Sequence, residues 1–367
     1  MMRFCTLFDK NYLSRGLALY ESLSKNSSEF HLYILCLDEF SFAYLTDQRL
    51  KNVELIPLSA LEESDKELFF CKNNRSKVEY YFTISPCLPL YLLNKYPDLP
   101  YICSIDADLY FYDDPFKILK KFAAYSILIT SHHFSPDLGS HWHETGIYNV
   151  SFQAFRNDSI GKNCLENWRK QCINWCFNHH DALYDRFADQ KYLESWPSTY
   201  GENLMILETP DVNLALWNVN QYQLSSRDNR IYSNDLPLIF YHFSNVKIVH
   251  KYLIQSGFYW ASTKAKPVLL NKIYLPYVRK LTQYNKQIFG TKADVLFENE
   301  KRKPFALIRR AMRDRGLLFT VNPINIIFYF NFSLINDIYE STLYRFAQLK
   351  FRDMARKGVL TYVKNKK

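Results

Sequence analysis

The chain has 367 residues, 48% hydrophobic and 17% aromatic with only 9 glycines, which fits one large domain or two modest ones and excludes a disordered chain. No run reaches the roughly 18–20 apolar residues of a membrane span; residues 324–332 come nearest and are too short. The net charge of +9 is unevenly placed, with 24 Lys+Arg against 7 Asp+Glu in residues 246–367 (net +17) and 22 against 30 in residues 1–245 (net −8).

In chain order, the start is charged by residue 9 and lacks the apolar stretch and cleavage site of a secretory signal, so a cytoplasmic protein is expected. Residues 4–8 are β-rich and 9–12 form a turn. Ser14 is placed as a helix N-cap, with Leu13, Leu17, Tyr20 and Leu23 on one helical face. A polar break at 26–29 precedes a second strand over 30–37. Strand, helix and strand in that order predict a βαβ unit and a parallel sheet. Residues 53–57 are a third strand. Pro86 and Pro89 interrupt 77–96, so a helix there must be broken or begin late. Residues 101–105 form a strand that runs into Asp106 and Asp108. Asp113-Asp114-Pro115 reads as a turn and cap opening a helix over about 116–122. Strands are expected over 126–131 and 146–157, and a helix over 160–177 with Leu165, Trp168, Cys172 and Trp175 as its apolar stripe. Residues 237–243 form a strand carrying His242. Beyond it come basic, aromatic segments over 273–289, 305–313 and 338–357 with helical character. The division is therefore a catalytic domain over 1–245 and a basic, mainly helical extension over 246–367. The eight cysteines (5, 36, 71, 87, 103, 164, 172 and 176) include no C-x-x-C pair and read as reduced core thiols.

In an extended chain alternate side chains share a side, so Asp106 and Asp108 are expected to project together from the carboxyl end of a buried strand. Open α/β sheets bind ligands at that edge. Two carboxylates so close repel unless a cation lies between them, and a divalent metal is the usual solution. His242, ending the run Leu238-Ile-Phe-Tyr, is the candidate third ligand. Two carboxylates, an imidazole and phosphate oxygens suit Mn²⁺ or Mg²⁺ better than zinc. The pairs His132-His133, His141-Trp142-His143 and His179-His180 match no zinc spacing and read as polar loop residues. Residues 132–145 could form a loop over the site.

The order Thr6…Asp9-Lys-Asn-Tyr12, Ile105-Asp-Ala-Asp, Tyr148-Asn149-Val, Asp189-Gln190 and His242 resembles that of retaining glycosyltransferases with the GT-A fold. The likeness is to glycosyltransferase family 8, which contains glycogenin and bacterial lipopolysaccharide galactosyltransferases, and it covers about residues 1–250. It implies an α/β, Rossmann-like nucleotide-sugar-binding domain. Thr6, Asp9 and Tyr12 would line the uridine pocket. Asp106, Asp108 and His242 would hold Mn²⁺, with Asp106 also near the ribose. Asn149, Asp189 and Gln190 would contact the donor sugar. Whether Gln190 attacks, supports or does neither stays open, and Asp189 could instead cap a helix. Two departures stand out. The family usually has an Arg in the helix before the acid strand, where Phe82 stands here, leaving Arg75 or Lys77 as substitutes. After the metal His it often has Gly and then Lys; here Asn245 takes the Gly place and Lys247 comes one residue early, as the candidate for the diphosphate.

The expectation is a metal-dependent transferase moving a sugar from a nucleoside diphosphate, UDP foremost, to a glycan or lipid-linked acceptor, with bacterial surface polysaccharide synthesis as its natural setting. Two alternatives remain: a non-catalytic nucleotide-sugar or glycan binder, and a metal-dependent phosphohydrolase. No nucleic-acid signature accompanies the basic extension. Residues 301–313 interleave basic and apolar residues as a helix on an anionic membrane surface does, or as a solvated face packed on its own core.

Overall fold

The structure is a computed structural model that describes residues 1–27, 29–138, 144–250, 253–258, 261, 263, 266–290, 317–321 and 327–331. They fall into two compact units, Met1–Ser244 and Asn245–Lys367.

The first unit opens with β1 (Met2–Phe8), α1 (Leu13–Asn26), β2 (Phe30–Cys36), α2 (Glu39–Gln48) and β3 (Val53–Pro57). Helix α1 starts one residue before the cap expected at Ser14. The turn closed by the Tyr12 N–H on the Asp9 carbonyl (3.0 Å) already sets the helical direction, and Tyr12, without a side-chain cap, is the capping residue. Gly16 lets the helix lie on the end of β1, because a Cβ there would come within 2.3 Å of the Phe8 ring. Short helices α3 (Leu58–Ser64) and α4 (Lys66–Cys71) lead to α5 (Lys77–Lys95).

Helix α5 corrects the expectation of a break. It starts on a capping box, Ser76 with Glu79, and runs through both Pro86 and Pro89. An interior proline removes a backbone donor and costs about 3 kcal/mol. Burial offsets it here, since Tyr80, Ile84, Cys87, Leu88, Leu92 and Leu93 all sit in the core. After α5 come β4 (Tyr101–Ile105), β5 (Leu109–Phe111), α6 (Phe116–Phe122), β6 (Ile127–Ser131), β7 (Tyr148–Arg156), α7 (Ser159–Asn174) and β8 (Leu204–Leu207).

The main sheet has the order β3-β2-β1-β4-β7-β6-β8. Strands β3, β2, β1 and β4 are parallel, β7 is antiparallel to both β4 and β6, and β6 is parallel to β8. This Rossmann-like parallel sheet, interrupted by the one antiparallel strand β7, is the GT-A type of α/β architecture expected from the sequence. Helices α5 and α7 pack on each other, and the core beneath them joins Ile84, Leu88, Ile102, Ile129, Phe155, Leu165, Trp168 and Trp196. A hairpin layer follows: β9 (Leu224–Arg227), β10 (Arg230–Ser233) and β11 (Leu236–Pro237), then β12 (Phe240–His242), which pairs with β5. All eight cysteines are buried and unpaired.

In the second unit, β13 (Lys247–His250), β14 (Leu253–Gln255), β15 (Leu317–Val321) and β16 (Ile327–Asn331) form an antiparallel sheet that the expected mainly helical extension does not include. The helix expected over 273–289 is present as α8 (Leu275–Phe289), preceded by a π-helical turn over Leu269–Tyr274. It buries Tyr277, Val278 and Leu281 at helical spacing. The segments 305–313 and 338–357, and with them the membrane-surface expectation for 301–313, lie outside the described residues. Among the described residues no helix is long and apolar enough to cross a membrane.

Candidate functional site

Strand β4 stops at Ile105, and the next four residues make a turn. The Leu109 N–H donates to the Asp106 carbonyl (3.2 Å), while the Asp106 N–H is held by the Ser151 carbonyl of β7 (2.9 Å). Asp106 and Asp108 therefore meet because the backbone turns between β4 and β5. The extended-chain alternation expected from the sequence is not what joins them. Strand β5 then pairs antiparallel with β12, setting His242 opposite Leu109, and the Phe243 N–H donates to the Asp108 carbonyl (3.0 Å). This register brings His242 Nε2 to 3.2 Å from Asp108 Oδ1 and 3.6 Å from Asp106 Oδ2.

Among the described residues these three form the one group of His, Cys, Asp or Glu with metal-ligand spacing, their donor atoms all within 4.8 Å of one another. Burial raises a carboxyl, but the charge and hydrogen bond of His242, with Arg15 behind them, hold Asp108 below its usual range. His242 is pulled down by burial and pushed up more strongly by Asp108 and Asp106, so it is raised. Asp106 is shifted upward by burial and by the charges of Asp108 and Asp189, against the pull of His242. Two carboxylates sharing one imidazole on Nε2 are short of positive charge. The other ring nitrogen, Nδ1, is buried without a hydrogen-bond partner, and the Trp217 ring stands perpendicular to His242 at 5.1 Å. Hard oxygen donors with one imidazole fit Mn²⁺ or Mg²⁺, and Asp106, Asp108 and His242 are the residues that would hold it.

The residues expected on the sugar side lie next to this cluster. Ser151 is the link: its carbonyl holds the Asp106 N–H, and its own N–H donates to Asn149 Oδ1 (3.0 Å). Asp189 is 2% exposed, and its Oδ2 has no hydrogen-bond partner. Burial pushes its carboxyl up to about 6, opposed by the Ser85 hydroxyl. It caps no helix, because the following 3₁₀ turn begins from Gln190. The Trp168 indole N–H holds the Asp189 carbonyl (2.8 Å), and Gln190 donates its amide N–H to the Thr145 carbonyl (2.7 Å).

Thr6 is buried within β1 with its hydroxyl unpartnered. Asp9 is nearly saturated: it accepts from the Asn11 N–H (2.9 Å), the Asn11 side chain (3.1 Å), the Tyr81 hydroxyl (3.3 Å) and Lys77 Nζ (2.7 Å). Tyr12 is 39% exposed with the Arg15 guanidinium 4.2 Å over its ring. Of the two substitutes for the missing Arg, Lys77 reaches Asp9. Arg75 stacks on Phe177 at 4.0 Å and bonds the Ile173 carbonyl (3.2 Å), so its role is structural. Lys247 belongs to the second unit, exposed on β13.

Three features were missed from sequence. Tyr81 and Ser85 follow the expected Lys77 at i+4 and i+8 on α5, Tyr81 reaching Asp9 as Lys77 does and Ser85 reaching Asp189; the assumed proline break hid that stripe. His132, read as a polar loop residue, is buried at 4% exposure beside Asn149. Trp217 had no local signal, since it reaches the site only by packing between His132 and His242. Of the remaining histidines, His133 is exposed and His180 pairs with Asp185 (2.9 Å). His141 and His143 lie outside the described residues.

No protein-family model matches the chain. Among solved structures it is similar to mouse xyloside xylosyltransferase 1 in its apo form, at 12% identity over 66% of this chain and 98% of that one, TM-score 0.45. It is also similar to the galactosyltransferase LgtC in complex with donor and acceptor sugar analogs, at 10% identity over 77% and 96%, TM-score 0.49. With both scores below 0.5, the chemistry has to be read from the residues themselves. Two proteins of Bacillus subtilis (strain 168) are nearer in sequence. The uncharacterized protein YfnD is 29% identical over 285 residues, 78% of this chain and 90% of that one. The uncharacterized protein YfnF is 34% identical over 253 residues, 67% of this chain and 82% of that one. At that identity and coverage, the chain belongs to the same family as YfnF.

Proposed function

We propose that the protein is a metal-dependent glycosyltransferase that moves a sugar from a nucleoside diphosphate, UDP foremost, to a glycan or lipid-linked acceptor with retention of configuration. The observation that carries this reading is the junction at Ser151. One residue's backbone fixes both Asp106 of the metal-binding group and Asn149, beside a buried, partly unpartnered Asp189. A cation site alone would not need those neutral and acidic sugar-facing groups beside it.

When bound, the divalent ion supplies positive charge against the departing diphosphate. Asp106 and Asp108 would hold that ion with two negative charges, and His242 would add a neutral imidazole nitrogen donor. Asn149 presents an amide, held at its oxygen by Ser151, to a sugar hydroxyl. Asp189 sets a carboxylate where positive charge develops on the anomeric carbon, as carboxylates do in glycoside hydrolysis. Its raised pKa follows from burial without a full set of partners, the state a cationic transition state relieves. Gln190 commits one amide hydrogen to the Thr145 carbonyl, and its second amide hydrogen and carbonyl oxygen are assigned to the donor sugar. Thr6, Asp9 and Tyr12 are assigned to the nucleoside end of the donor.

A thermal-shift screen of UDP, other nucleoside diphosphates and UDP-sugars, each with and without Mn²⁺, tests the reading. A Mn²⁺-dependent rise in melting temperature with UDP or a UDP-sugar is expected by mass action, followed by slow hydrolysis of the same sugar nucleotide when no acceptor is present. Binding without any turnover would favour a non-catalytic binder. A well-folded sample that responds to no nucleotide sinks the proposal.

A further inference from the structure

The buried imidazole of His132 has no part in the chemistry above, yet it touches Asn149. His132 follows β6 directly, its N–H donating to the Ile147 carbonyl (2.9 Å) and its carbonyl accepting from Asn218 Nδ2 (3.0 Å), so the backbone is clamped from two sides. The ring lies flat on Phe134 (centroids 4.5 Å apart, planes 15° apart) and stands against Trp217 at 5.3 Å. Its Nε2 is 3.0 Å from Asn149 Nδ2.

The hydrogen bonds around Asn149 determine where the His132 proton is. The Ser151 N–H can only donate, so the Asn149 atom it meets at 3.0 Å must be the carbonyl oxygen Oδ1. That orients the amide and turns Nδ2, which can only donate, toward His132. Nε2 of His132 must therefore accept, which makes the imidazole neutral with its proton on Nδ1. A charged imidazole, or one protonated on Nε2, would set N–H against N–H and push the amide to flip, at the loss of its bond to Ser151. Burial, and behind it the charge of His242, independently disfavour the charged form.

We propose that His132 is a positioning residue: held neutral with its proton on Nδ1, it locks the Asn149 amide so that a single remaining amide hydrogen is left to select the donor sugar. This rests on the nucleotide-sugar reading above, and it assigns discrimination among sugars to a residue that touches none of them. With Oδ1 anchored by the Ser151 N–H and one Nδ2 hydrogen by His132, the orientation of the Asn149 amide is fixed and its one remaining Nδ2 hydrogen selects for a hydroxyl placed to accept.

Two substitutions separate positioning from packing. His132→Gln places Oε1 as far from the backbone as Nε2, keeping the acceptor and losing the ring. His132→Phe keeps the ring on Phe134 and against Trp217 and loses the acceptor. Binding of UDP, UDP-glucose and UDP-galactose to the full chain, each with Mn²⁺, is measured by titration, together with melting temperature. Positioning predicts that Phe weakens the sugar nucleotide preferred by wild type at least about tenfold, narrows the preference between the two sugars, and leaves UDP alone unchanged, as loss of an outer hydrogen-bond partner does elsewhere. Gln should stay within about threefold of wild type for all three. A Phe variant that binds the sugar nucleotides as wild type does, or weakens UDP in parallel, overturns the proposal. So does a Gln variant impaired as severely as Phe. Wild-type protein that binds no nucleotide removes the sugar nucleotide itself, a different failure. The imidazole ¹⁵N spectrum at pH 7 then still decides the hydrogen bonding: an unprotonated Nε2 on His132 is expected, and a proton there overturns it.

Discussion

Asp108 and His242 each favour the other's charged form, so in the absence of a cation the imidazole itself partly neutralises the two carboxylates. A divalent ion held by the same three side chains would compete with that proton, and the two aspartates together would supply the negative charge that holds it. Asp108→Asn keeps the size and the backbone bonds of the turn and removes one charge. Transfer activity, and the Mn²⁺-dependent part of the nucleotide shift, should fall by at least about 100-fold, while the apo melting temperature stays near that of wild type. Activity that survives the substitution would reject the metal assignment. The acid pair was legible because two carboxylates follow an apolar strand run, and His242 because it ends another. The reason they meet was not, since a turn over 106–109 and a strand alternation look alike in one dimension. His132 was illegible for another reason. Its burial depends on Trp217 and Asn218, more than eighty positions later, which no local pattern around His132-His133 announces.

At the scale of elements, the helix layer carries its own electrostatic joint. Asp65 caps α4 by accepting from the Leu68 N–H (3.0 Å), and Arg169 on α7 grips the same carboxylate, with Nε at 2.6 Å from Oδ2. Both side chains are mostly shielded, at 12% and 16% exposure. Burial alone would raise the Asp65 carboxyl; the Arg169 hydrogen bonds and the Leu68 N–H overcome it and hold it below the usual range. Its folded-state pKa thus lies under that of the unfolded chain. The contribution is complete above the unfolded value of about 4 and is lost as pH falls through the lower folded value. Arg169→Met should cost about 2 kcal/mol at pH 7, read by urea denaturation, and the gap to wild type should shrink by pH 3. An unchanged gap at both pH values would show that Arg169 acts through packing alone. The βαβ start, the strand before the acids and α7 were legible from apolar periodicity and caps. The continuity of α5 was not, because the penalty for Pro86 and Pro89 is local while the burial that offsets it comes from the tertiary core.

Across the whole molecule, charge divides the chain more sharply than hydrophobicity does, at −8 for residues 1–245 and +17 for residues 246–367. A lipid-linked acceptor would make that basic stretch useful, and the expectation is open to a direct measurement. Full-length protein should co-sediment with phosphatidylglycerol vesicles at low ionic strength, remain in solution with phosphatidylcholine vesicles, and be released by 0.5 M salt, as screened surface charge requires (about 1 kcal/mol per Lys or Arg at low salt). Retention on neutral lipid, or indifference to salt, rejects an electrostatic attachment.

The pairing of β5 with β12 has a consequence in time. Asp108 and His242 stand 134 positions apart in the chain, yet they are joined by a ladder of three residue pairs. Closing so long a loop for so few rungs offers little reward until the sheet on either side of it exists. The cation-binding group should therefore be among the last features to assemble after dilution from denaturant. Mn²⁺ affinity is expected to return after the far-ultraviolet dichroism is complete, so newly made chains pass through a stage that has the fold and lacks the chemistry.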